Sequence, residues 1–217
     1  MKTMRAPATT TRYRHLAAAL SLLALGACSA LRPEASTPPA FYSLDSARSA
    51  ASVTAPVTAP TLILSPPRAA AGFDSPRIIY VREPHKLDYF AHSEWIDPPA
   101  RMLGPLLVAA LQNSGTFRAV VLTPGAAAGD LRLDTEIIRL QHEFLSTPSR
   151  LHFTLRATLV DDKTRRVLAW REFDAYEAAT SDNPYGGVVA ANLAVQTVLG
   201  QLSSFCAETA RNTRNEK

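Results

Sequence analysis

Leu151-His152-Phe153-Thr154-Leu155-Arg156-Ala157-Thr158-Leu159 alternates strictly between apolar and polar side chains. Successive side chains of an extended chain point to opposite faces, so this period of two predicts a strand with one face in a core and one toward water. A second long strand, about Leu131–Phe144, precedes it across Ser146-Thr147-Pro148-Ser149, and the pair reads as an antiparallel hairpin. On the other side Asp161-Asp162-Lys163-Thr164 makes a turn into a third strand, Arg166–Tyr176. The alternation slips at Ile137-Ile138 and at Ala169-Trp170, and each slip predicts a bulge.

Outward from this hairpin, toward the N-terminus, Thr61-Leu62-Ile63-Leu64 is an unbroken apolar run stopped by Pro66-Pro67, a buried strand. Arg77–Arg82 and Lys86–Ala91 flank Glu83-Pro84-His85 and predict a hairpin with its turn at Pro84. Asp97-Pro98-Pro99 reads as a helix start, with the aspartate as cap and proline where no amide is needed. That helix is expected to run to about Gln112, kink near Pro105, and bury Met102, Leu106, Ala109 and Ala110. Phe117–Leu122 is a short strand, followed by the Gly/Ala-rich turn Pro124–Gly129. After Asp182-Asn183-Pro184, the residues Val188, Val195, Val198, Leu199, Leu202, Phe205 and Cys206 form the stripe of a long C-terminal helix. The fold expected is α+β: a mostly antiparallel sheet of about five to six strands with two helices packed on one face. Residues 61–212 form one domain and 213–217 a frayed tail.

The start of the chain reads as an export signal. Lys2, Arg5, Arg12 and Arg14 precede an apolar stretch, Leu16 to Ala27, shorter than the ~20 residues a bilayer span needs. It ends in Leu25-Gly26-Ala27-Cys28, the full lipobox pattern. Residues 1–27 are therefore expected to be cleaved and Cys28 to be lipidated, with Ser29 rather than Asp behind it favouring the outer membrane. More than one acyl chain on Cys28 makes the attachment effectively permanent, since each buried methylene contributes about 0.8 kcal/mol. Residues 28–60 form a proline-bearing tether with one docked aromatic segment at Phe41-Tyr42-Ser43-Leu44-Asp45.

Removing residues 1–27 changes the charge. The whole chain has 23 Lys and Arg against 19 Asp and Glu, and four of the basic residues lie in the signal, so the mature chain carries 19 of each. Its formal net charge is zero, which speaks against nucleic-acid binding. Cys206 is then the only cysteine besides the lipidated one, so an internal structural disulfide is excluded; its apolar helical setting predicts an inert core thiol.

Candidates for chemistry are sparse. His142 and His152 could face one another across the long hairpin, but no third ligand at a convincing spacing accompanies them, and no metal site is expected. His85 and His92 read as surface residues. Ser93-Glu94-Trp95 sits in no nucleophile elbow, and no phosphate-cradling glycine loop is present; Gly186-Gly187 suits close packing better. Neither catalysis nor a cofactor is expected. Tyr80, Tyr89, Phe90 and Trp95 gather just before the first helix and are the candidate partner interface, because large aromatics at a strand-to-helix junction are frequent anchors.

The lipobox, Phe41–Asp45, Arg77–Arg82, Leu87-Asp88-Tyr89-Phe90 and the run Trp95-Ile96-Asp97-Pro98-Pro99-Ala100-Arg101-Met102-Leu103 resemble the ABC-type transport auxiliary lipoproteins, the PqiC-like group. The resemblance spans essentially the whole mature chain. It implies a non-enzymatic part of an intermembrane lipid-transport system, anchored in the outer membrane and facing the periplasm. The implied partners are a periplasmic MCE-domain protein and an ABC transporter or integral membrane subunit, with further copies of the chain in a homo-oligomer. No nucleotide-binding motif is present, so ATP hydrolysis would belong to a partner. The alternative from another class is an outer-membrane assembly lipoprotein serving β-barrel or lipopolysaccharide machinery.

Overall fold

The structure, a computed structural model, describes residues 38–45, 54–124 and 128–215. The signal, Cys28, Ser29, most of the tether and the middle of the Pro124–Gly129 turn lie outside them. Strand β7 (Leu131–Glu143) is the axis of the domain. On one edge it pairs antiparallel with β8 (Arg150–Asp161), which pairs antiparallel with β9 (Val167–Ala178). Thirteen residues of β7 also leave room on the other edge for three shorter strands end to end, all parallel to it. These are β2 (Thr61–Leu64) at Leu131–Leu133, β3 (Arg68–Ala69) at Glu136–Ile137 and β4 (Arg77–Glu83) at His142–Glu143. Strand β6 (Ala119–Leu122) is parallel to β2, β5 (Lys86–Trp95) is antiparallel to β4, and β1 (Ala40–Tyr42) is parallel to β5.

The α+β class stands, but among the described residues the sheet has nine strands and is mixed, not a mostly antiparallel sheet of five to six. Antiparallel pairing shows in sequence because turns join neighbouring strands. Parallel pairing needs a crossover and joins residues far apart, such as Leu62 with Leu131. Strands of two to four residues are also too short to display a period.

Helix α1 spans Pro99–Asn113 and runs through Pro105 as one helix. Its N-cap is Pro98, with no side-chain cap; Asp97 lies one residue too early and instead holds Arg101 at 3.1 Å. The buried row is Pro99, Leu103, Leu107 and Leu111, with Ala100, Gly104 and Leu106 beside it. Met102, Ala109 and Ala110 are only half-buried. Because α1 is apolar on nearly every side, its period alone left the orientation open, and the larger leucines took the core. Gly115, in the left-handed region at φ 64°, ends the helix turn.

Helix α2 spans Pro184–Asn215. Asn183 Oδ1 accepts the Gly186 amide at 2.9 Å, so Asn183 caps the helix and Pro184 takes the first position without losing a bond. By length and composition the helix could cross a bilayer. Its apolar stripe, however, is used inside the domain: Ala191, Ala194, Val195, Val198, Leu202 and Phe205 are buried in one core with Leu151, Phe153, Leu155, Ala157 and Leu159 of β8. Leu103, Leu107 and Leu111 of α1 join the same core.

Candidate functional site

The β4–β5 hairpin carries the four aromatic residues singled out above, and the structure separates them. Tyr80 and Phe90 are half-buried and pack ring to ring at 4.6 Å, with Phe144 meeting Tyr80 edge-on at 6.0 Å. Trp95 is 3% exposed and part of the core, which removes it from any partner surface. The sequence could not distinguish it from a surface anchor because strand β5 continues through Ser93-Glu94-Trp95 instead of stopping at Ala91. Tyr89 alone is open, half exposed beneath the Arg77 guanidinium at 4.2 Å, with Leu87 exposed two residues before it on the same side. Pro84 and His85 turn the hairpin, and His85 takes a left-handed conformation, φ 67°. Leu87 and Arg77 were missed; only their pairing with Tyr89 identifies them.

The two histidines do not share a face. The register sets Gln141 opposite His152 and Leu151 opposite His142, so the rings point to opposite sides of the sheet. Metal binding by this pair is thereby excluded by geometry, and among the described residues no three His, Cys, Asp or Glu side chains converge as a metal site.

His142 is fully buried on the helix-bearing face, 4.2 Å from the Phe144 ring centroid. Its Nε2 lies 2.8 Å from Ser149 Oγ, and Ser149 Oγ donates to Asp182 Oδ1 at 2.5 Å. Since the serine proton goes to the carboxylate, the imidazole must donate from Nε2, which leaves Nδ1 unprotonated; Nδ1 has no hydrogen-bond partner. It faces Gly187, where a Cβ would come within 2.5 Å. Burial holds the His142 pKa below the usual histidine value, with Asp182 opposing weakly. Asp182 itself lies below the usual carboxylate range because Ser149 donates both hydroxyl and amide to it. The order Asp–Ser–His places the serine between acid and base, so the hydroxyl is already committed and cannot act as an activated nucleophile. The cluster ties the β7–β8 turn to the start of α2, and Gly186-Gly187 serves the close packing there.

On the opposite face His152 sits between Glu143 Oε1 at 3.0 Å and Asp174 Oδ1 at 3.1 Å, and stacks on Tyr176 at 4.0 Å. Burial would raise the Glu143 pKa, but hydrogen bonds from Gln141, His152 and Arg150 outweigh it and hold the carboxylate low. Thr154 donates to Asp174 at 2.5 Å and is the main reason that carboxyl also lies low. Further along, Arg156 bridges Glu172 and Glu136. These groups satisfy one another across three strands and act as a polar ladder. The remaining singular residue, Cys206, is fully buried, and burial pushes its thiol up to about 12.

A groove of 420 Å³ lies between β1 with the residues following it and the first turns of α2, lined by Phe41, Tyr42, Tyr185, Val188, Val189 and Leu193 among others. Asn192 fixes its wall, accepting the Asp45 amide at 2.7 Å and donating to the Ser43 carbonyl at 3.2 Å.

The fold is shared with proteins of known structure. A crystal structure of protein XCC0632 of Xanthomonas campestris, assigned to DUF330, superimposes with a TM-score of 0.71 at 23% identity, covering 81% of this chain and 99% of that one. An uncharacterized protein of solved structure superimposes with a TM-score of 0.59 at 14% identity, covering 79% and 98% of the two chains. No curated protein matches the sequence. Residues 42–203, from β1 through most of α2, match the ABC-type transport auxiliary lipoprotein component, and the chain belongs to that family.

Proposed function

We propose that this chain is a lipid-anchored, non-enzymatic component of an ABC/MCE-type intermembrane lipid transporter, docking the periplasmic MCE-domain partner at the outer membrane. The observation that carries the reading is the family match over residues 42–203 directly behind a lipobox at Leu25–Cys28. The geometry is in keeping with contact: the buried histidines, carboxylates and Ser149 are engaged with one another, and the open part of the aromatic hairpin is Tyr89 with Leu87 and Arg77. Cys28 supplies the anchor and Ser29 the outer-membrane sorting, and the chain works as a homo-oligomer whose copies crosslinking counts. Phe90 and Tyr80 support the hairpin from behind.

The test is purification of the lipidated protein from membranes in mild detergent. Wild type is expected to bring down an MCE-domain protein, and Cys28→Ala to leave the membrane fraction for the periplasm. Tyr89→Ala with Leu87→Ala is expected to weaken recovery of the partner about tenfold, the effect of losing one modest interface anchor. Wild-type protein recovered without any MCE partner would overturn the docking role.

A further inference from the structure

We infer that the groove between β1 and the start of α2 is a membrane-contact surface that seats this face of the domain on the lipid interface. The inference rests on the lipid-anchor reading of Cys28 and adds to it. Three exposed large apolar side chains meet here: Phe41 at 57%, Tyr185 at 61% and Leu193 at 45% exposure. They come from two elements brought together by the Asn192 clamp, so the patch is built by the fold and not by a single amphipathic stretch.

What covers it is indicated by where the chain enters the domain. The segment that carries Cys28 ends at Pro38, and the next residues, Ala40–Tyr42, form the strand bordering the groove. The ten residues Ser29–Pro38 reach at most about 35 Å even when fully extended. An anchor on Cys28 therefore holds this face, of all faces, at high effective concentration against the bilayer. The chemistry agrees. Among the described residues lining the groove, Asp45 is the one charged side chain, and no lysine or arginine is present. Tyrosine settles at the headgroup level with its ring apolar and its hydroxyl wet, and phenylalanine and leucine beside it enter the acyl boundary. With no cation to read anionic lipid, the contact is apolar and suits a zwitterionic leaflet.

The test uses the lipidated full chain in vesicles of phosphatidylethanolamine with a minor share of phosphatidylglycerol. Phe41→Cys, Tyr185→Cys and Leu193→Cys are each labelled with an environment-sensitive nitrobenzoxadiazole probe. The native Cys206 is buried and stays unlabelled in the folded protein. Val167→Cys is the control: it is exposed and lies beside Thr209 and Thr213, about 30 Å along α2 from the groove. Groove probes are expected to brighten severalfold, shift to the blue and be quenched by lipids spin-labelled near the headgroup, with little response to salt, while the control stays unchanged. Protein held in the vesicles with groove probes no brighter than the control overturns the membrane contact alone. Protein that does not enter vesicles overturns the anchor reading, and this inference with it. A blue shift that depends on protein concentration in unlipidated Cys28→Ser, without vesicles, would assign the groove to a second copy of the chain and equally overturn it.

Discussion

Gly187 shows how one missing atom organises the start of α2. Alanine is favoured over glycine in a helix by about 1 kcal/mol, so composition alone would recommend Gly187→Ala. The added Cβ would lie 2.5 Å from His142 Nδ1, and Phe144 packed on the same ring leaves the imidazole little room to yield. Overpacking of this kind costs about 1–3 kcal/mol, and Gly187→Ala is expected to lower the urea midpoint. The same change placed on a His142→Ala background should be neutral or stabilising, which a double-mutant cycle measures. Because the folded His142 pKa is depressed, the native state keeps the ring neutral while the unfolded chain protonates near pH 6.5. Its contribution is thus fully present above that pH and is lost as pH falls from there toward the folded pKa. Unfolding curves between pH 7 and 5 should show a loss of stability that His142→Phe reduces. At Cys206, a thiol reagent should find nothing in the folded protein at pH 8 and one thiol after unfolding, for protein whose other cysteine is replaced by serine. The parity of the two histidines was the residue-scale feature least legible in the sequence. Their numbers differ by ten, and a single residue of register decides whether they meet or lie back to back.

Among the elements, the three long strands could be read because each is long enough to show its period and each joins the next through a turn. Even there the fine structure moved. The irregularity at Ile137–Arg139 is where the doubled isoleucine placed it, whereas the one in β9 falls at Leu168, between Val167 and Ala169, and not at Ala169-Trp170. On the other edge β2 and β6 show as short apolar runs and β4 as a hairpin arm, but none of them carries a sign of its parallel partner, and the two-residue β3 gives no signal at all. Strand β8 is the element with most to lose. Phe153 and Leu155 are both fully buried between two neighbouring strands and the helices. Phe153→Ala is expected to cost about 3–5 kcal/mol, read as a fall in the denaturant midpoint with little change in slope. Strand β1 stands at the other extreme, three residues long and held by pairing to Ser93–Trp95 and by Asn192. Asn192→Ala removes the two hydrogen bonds to Ser43 and Asp45, worth about 1–2 kcal/mol together. It should speed amide exchange at Tyr42–Asp45 while leaving β7–β9 protected, which hydrogen exchange resolves strand by strand.

For the whole molecule, the domain is one core shared by β8 and two helices; the aromatic hairpin reaches it through β4 and β5, and the entering segment reaches it through β5 and through Asn192 of α2. Strand β5 pairs with β1 on one side and with β4, the other arm of the hairpin, on the other. If the lipid end is fixed in a membrane and a large partner pulls on the hairpin, tension enters at Ala40–Tyr42 and leaves through β4 and β5. The thirteen-residue β7 and its long neighbours lie outside that line of force. Strand β1, the shortest link on the path, would peel first, lengthening the leash before the core sheet feels the load.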